Sequence, residues 1–123
     1  MLKNFNPIVL VAGDPKSIFL EIFFKSLRIK KFKSPLILIV NEKILLKQMK
    51  ALNYKFKINK LNVNLIDYKK IDNKKVNFIN IPFNKELVTE YIDRSFDKAL
   101  LLLKKNKKIN LINGPINKKK ILK

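Results

Sequence analysis

The run Pro7-Ile8-Val9-Leu10-Val11-Ala12, closed by Gly13-Asp14-Pro15, decides how this chain folds. An apolar run without alternation fits a strand buried on both faces, the condition of strands inside a parallel sheet covered by helices. Gly-Asp-Pro then imposes a tight turn. Beyond it, Phe19, Ile22, Phe23, Ser26 and Leu27 recur at helical spacing, with Ser17 placed to act as the N-cap. Lys30, Lys31 and Lys33 follow, where a helix dipole favours cations.

The same unit repeats. Pro35 to Val40 reads as a second buried strand, and Asn41-Glu42 opens a helix carrying Ile44, Leu45, Gln48, Met49 and Leu52. Between Tyr54 and Asp72 the pattern breaks up, with short strands expected at Phe56 to Ile58 and Val63 to Ile66. Val76 to Ile81 is a strand ended by Pro82. A long helix is expected from Asn84 to Lys105, because Val88, Ile92, Ser95, Ala99 and Leu102 share one face. Ile109 to Asn113 is the last strand, Gly114-Pro115 turns it, and Asn117 to Lys123 starts a further helix. Strands alternating with helices predict an α/β fold with a mainly parallel sheet flanked by helices and right-handed crossovers. The final helix is too short to cover a sheet, so residues 1–123 are expected to form a single truncated α/β domain.

Composition narrows the chemistry. The chain has no Cys and no His, which excludes disulfides, thiol chemistry, imidazole catalysis and Cys/His zinc sites. A formal charge of +19 suits anionic partners, but it comes from 26 Lys and only Arg28 and Arg94. Those lysines are spread over every segment, whereas Arg is the residue suited to bidentate phosphate or base recognition. A specific nucleic-acid partner is therefore not expected. No apolar stretch approaches the ~20 residues that span a bilayer, and the N-terminal run is too short for a signal peptide. A cytoplasmic location is expected, without membrane association. Glu86, Glu90, Asp93 and Asp97 form a carboxylate stripe on the long helix, which reads as a solvated face.

Two turns remain as candidate sites, Gly13-Asp14-Pro15 and Gly114-Pro115-Ile116-Asn117-Lys118. In open α/β sheets ligands sit outside the carboxyl ends of the strands, and a helix N-terminus there presents backbone N–H groups to an anion. Lys118 adds a positive charge, and Asp14 is either a ligand or a local turn residue. Neither a dinucleotide-binding glycine fingerprint nor a phosphate-binding loop is present, and Ser17 and Ser26 have no histidine base.

These two segments resemble those of the 4-hydroxythreonine-4-phosphate dehydrogenase family. Pro7 to Glu21, PIVLVAGDPKSIFLE, is similar to that family's first strand and Gly-Glu-Pro-Ala-Gly-Ile-Gly-Pro-Glu turn, and Leu111 to Ile121, LINGPINKKKI, is similar to its Val-Thr-Ala-Pro-Ile-Asn-Lys segment. Pro115-Ile116-Asn117-Lys118 matches residue for residue. Asp14 stands in place of Glu, Lys16 to Leu20 replace the small glycine-containing stretch, and Asn113 and Gly114 replace the usual pair in part. The resemblance covers the whole chain but only the N-terminal part of a family member. It implies a domain of the isocitrate/isopropylmalate dehydrogenase-like type, and substrate contacts at Gly114, Asn117, Lys118 and Asp14. It further implies NAD-dependent oxidation and decarboxylation of phosphorylated hydroxythreonine on the way to pyridoxal phosphate, by a homodimer using a divalent metal. The metal-binding histidines, and a His-Thr pair contacting substrate, would all follow Lys123. The alternative expectation is a degenerate, noncatalytic domain that binds an anion or a partner.

Overall fold

The computed structural model describes residues 5–114. Five strands, β1 (Ile8–Val11), β2 (Leu36–Val40), β3 (Ile58–Lys60), β4 (Val76–Asn80) and β5 (Asn110–Asn113), form one sheet in the order β3-β4-β2-β1-β5. Every pairing is parallel. Helices α1 (Phe19–Ile29) and α2 (Glu42–Ala51) cover one face, and α3 (Val88–Lys105) covers the other.

The faces follow from the direction of each crossover. β1 to β2 and β2 to β3 run toward one edge, so a right-handed connection places α1 and α2 on the same side; β4 to β5 runs back, placing α3 opposite. The β3–β4 connection also runs back, and Leu61, Val63, Ile66, Tyr68 and Ile71 accordingly pack on the α3 face although only a 3-10 turn, Tyr68–Lys70, lies within it.

Alternation within the central strands divides the core. Leu36, Leu38 and Val40 join Leu20, Phe24, Leu45 and Met49 beneath α1 and α2, while Val9, Val11, Ile37 and Ile39 join Tyr91, Ile92, Ala99 and Leu102 beneath α3. Ser95, predicted on this buried face, donates its hydroxyl to the Tyr91 carbonyl at 2.8 Å, which allows it to be buried. Asn73 ties the entry of β2 by accepting from the Leu36 N–H at 3.0 Å and donating to the Phe32 and Ser34 carbonyls.

Several boundaries depart from expectation, each for a local reason. The N-cap position of α1 is Ile18, not Ser17; the Ser17 hydroxyl instead takes the Phe19 N–H at 3.4 Å. Residues 84–87 stay outside α3, because Asn84 closes its own turn through its side chain to Glu86 N and its carbonyl to Leu87 N. Glu86 thereby leaves the carboxylate stripe. The Val63–Ile66 segment is not a strand, since Asn62 closes a turn to Leu65 N, and the short strand expected at Phe56 to Ile58 begins at Ile58. Asn41 does cap α2, accepting from the Ile44 N–H at 3.2 Å.

Tyr91 joins α3 to the β2–α2 junction. Its hydroxyl accepts the Asn41 N–H at 3.1 Å, its ring meets Phe83 edge-on at 5.2 Å, and burial pushes its pKa up to about 12. An unfolded tyrosine releases its proton near pH 10, so stability contributed by the protonated buried phenol is present below that pH and lost as pH rises toward 12. Tyr91→Phe removes this titration. Wild type is expected to lose up to about 2–3 kcal/mol more than Tyr91→Phe between pH 9.5 and 12 in urea unfolding, while at neutral pH the variant is about 1 kcal/mol weaker.

Candidate functional site

Parallel pairing places all strand carboxyl ends together and makes β1 and β5 neighbours, with Val11 opposite Asn113. The Gly13 turn and Gly114, from opposite ends of the sequence, thus lie side by side. Gly114 donates its N–H to the Val11 carbonyl at 2.7 Å, and Ala12 donates to the Ile39 carbonyl at 3.1 Å. Gly13 follows with φ 78°, a left-handed conformation that turns the chain out of the sheet and favours glycine.

Gly114 has a different requirement. A Cβ there would collide with the Ala12 carbonyl oxygen and lie 2.8 Å from Cγ of Phe19, the first residue of α1. Glycine is therefore needed for β5 to end against β1 beneath the α1 N-terminus. Phe19 occupies part of the space beside Gly114.

Asp14 acts locally. Its Oδ1 accepts the Lys16 N–H at 2.9 Å, and its carbonyl accepts the Ser17 N–H at 3.0 Å, closing the turn that leads into α1. Asn113 donates its side-chain amide to the Gly114 carbonyl at 3.2 Å. Of the candidate substrate contacts, Asp14 and Gly114 are thus brought to one end of the sheet; Asn117 and Lys118 lie outside the described residues.

A second group at this end was not singled out by the sequence. A recess of about 760 Å³ lies where β2 and β4 end, lined by Asn41, Glu42, Lys43, Asn80, Pro82 and Phe83 among others. Asn41 donates to the Ile81 carbonyl at 2.9 Å, Asn80 accepts the Glu42 N–H at 2.8 Å, and Glu42 pairs with Lys60 at 2.6 Å. Its sequence signal was an asparagine at the end of β4 and another just past β2. These groups satisfy one another and the α2 N-terminus.

The chain contains no histidine, and no three His, Cys, Asp or Glu residues cluster among the described residues. No helix among them is long and apolar enough to cross a membrane.

Gly114→Ala tests the packing directly. The added methyl must push the β5 end away from the Ala12 carbonyl and displace the Phe19 ring, and a loss of about 2 kcal/mol or more in urea unfolding is expected. Gly114→Ala combined with Phe19→Ala should recover only the part due to the ring, since the Ala12 carbonyl remains in the way.

No family model and no curated protein matches the sequence. Solved structures do. A 4-hydroxythreonine-4-phosphate dehydrogenase from Burkholderia phymatum aligns over 95% of this chain with a TM-score of 0.75 and 18% identity. The corresponding enzyme from Klebsiella pneumoniae aligns over 92% with a TM-score of 0.73 and 16% identity. This chain spans 38% of the length of each. Its five-stranded parallel sheet and flanking helices are the α/β fold of that portion of the 4-hydroxythreonine-4-phosphate dehydrogenases.

Proposed function

We propose that this chain is the N-terminal part of an NAD-dependent 4-hydroxythreonine-4-phosphate dehydrogenase, active only together with the remainder of that enzyme. The observation that carries this reading is a fold match over nearly the whole chain to little more than a third of such enzymes, joined to the Pro115-Ile116-Asn117-Lys118 motif. The adjacency of the Gly13 and Gly114 turns supports it, because a ligand held at the carboxyl edge of β1 and β5 would meet both.

In this reading Gly114 contacts the substrate through its backbone while ending β5 tightly against β1, Asn117 and Lys118 contact its anionic groups, and Asp14 shapes the opposing turn. NAD, when bound, would supply the hydride acceptor for oxidation of the substrate hydroxyl, with decarboxylation following. A divalent metal, which would polarise that hydroxyl, would be held by histidines, none of which this chain supplies. The complete protein is a cytoplasmic homodimer acting on a small phosphorylated substrate in pyridoxal phosphate synthesis.

The alternative, a degenerate domain that binds an anion or partner without catalysis, has one observation in its favour: Phe19 fills space beside Gly114. Assay separates the two. The chain alone should give no NADH at 340 nm from 4-hydroxythreonine-4-phosphate, with or without divalent metal. The polypeptide encoded downstream of Lys123, in the same or an adjacent frame, should carry a His-Thr pair and further histidines and restore turnover when combined with this chain. Lys118→Ala in the combined protein should lower kcat/KM at least about tenfold, the loss expected for one charged substrate contact. No such downstream segment, or a folded combined protein without turnover, defeats the dehydrogenase reading.

A further inference from the structure

The end of the sheet opposite the glycine turns carries a charge pattern that the dehydrogenase reading leaves unused. In an all-parallel sheet every segment preceding a strand reaches the same end. Residues 28–35, 50–57, 67–75 and 104–110 do so here, and they hold fifteen of the 28 basic residues and two of the nine acids. Lysines dispersed along the sequence are thus gathered by the fold onto one end.

These cations are not neutralised. The ion pairs among the described residues are Lys25–Glu21, Lys60–Glu42 and Arg94–Glu90, none of which uses any of the fifteen. The two acids are turned into their own loops: Asp67 accepts the Lys69 N–H at 3.1 Å and Asp72 the Lys74 N–H at 2.9 Å. The surface is also concave. A recess of about 820 Å³, lined in part by Phe5, Lys33, Tyr68, Lys69 and Lys108, adjoins one of about 520 Å³ lined by Arg28, Lys31 and Phe32, and the two share Lys33 and Ile71. Phe5 is 43% exposed, with the Lys33 ammonium 5.7 Å from its ring.

We propose that this grooved, basic end binds single-stranded nucleic acid without sequence selectivity. Ammonium groups spread along a groove suit a phosphate backbone that releases counterions on binding, and the exposed Phe5 ring, with the half-buried Tyr68 ring lining the same recess, offers a face on which a base stacks. Lysine in place of arginine fits backbone contact rather than base reading. A small phosphorylated metabolite would occupy a fraction of a surface built from four segments. An anionic membrane would favour an apolar protrusion, whereas the rings here line a recess. The proposal does not depend on the dehydrogenase reading.

The test is fluorescence anisotropy of the full chain with labelled oligothymidylate and oligouridylate of about twelve nucleotides, between about 50 and 200 mM salt. Binding should weaken with salt for both. The triple variant Lys33→Glu/Lys69→Glu/Lys108→Glu should weaken it at least about tenfold, and Phe5→Ala/Tyr68→Ala by about five- to tenfold with less effect on the salt slope. The triple variant Lys25→Glu/Lys85→Glu/Lys98→Glu, with the same net charge, should stay within about twofold. Lys33→Gln/Lys69→Gln/Lys108→Gln repeats the test with a milder change if the glutamate variant does not fold, folding being followed by thermal denaturation. Equal losses in both lysine triples, or no effect of the aromatic pair, would show diffuse attraction to net charge and overturn the site. Stronger binding to phosphatidylserine vesicles than to either oligonucleotide, lost on the same substitutions, would reassign the surface to membranes and likewise overturn it.

Discussion

The structure depends on one constraint: β2 is buried on both faces and β1 on one, with Val9, Val11, Ile37 and Ile39 completely inaccessible on one side, Leu38 and Val40 on the other, and Ile8 and Leu10 half-covered there. Strands of that kind need apolar cover above and below, and right-handed crossovers supply it only when the chain winds in both directions across the sheet. α1 and α2 come from winding one way and α3 from winding back. Nearly everything else of interest follows from that parallel arrangement, because it sorts turns to one end and strand entries to the other.

That sorting explains which parts of the molecule were legible in sequence. The unbroken apolar runs at Ile8 and Leu36, the largely apolar run at Val76 and the 3.6-residue periodicity of α3 each report local burial, so strands, helices and fold class could be read directly. The misread boundaries share a cause in short polar side chains. Ser17, Asn62 and Asn84 each bond to backbone a few residues away, and in doing so they end or delay an element that hydrophobic spacing alone would extend. The two turns were visible as punctuation, but their contact was not, since pairing between β1 and β5 is set by topology rather than by any residue in either segment. The Asn41–Tyr91 hydrogen bond is hidden for the same reason.

Charge shows the same separation of local rule from global outcome. Acids in first turns, Glu21, Glu42 and Glu90, and bases in last turns, Arg28, Lys50, Lys104 and Lys105, satisfy each helix dipole individually. Because parallel strands align the following helices in one direction, these independent preferences add up to a molecule with its acids biased toward the carboxyl end of the sheet and its bases toward the other. Even spacing of lysines along a chain therefore says little about their spacing on a surface.

The glycine turns show how a single residue type can answer to two different requirements. Gly13 is needed for a backbone angle, whereas Gly114 is needed for clearance from Ala12 and Phe19. Both would be required in a domain with no ligand at all, so glycine at these positions is not by itself a sign of binding. Discrimination passes to residues that packing does not explain. Asp14 is accounted for by its own turn, and Asn113 by a bond to its neighbour's carbonyl. That leaves Asn117 and Lys118, outside the described residues, as the part of the family-like motif on which a test for substrate turns.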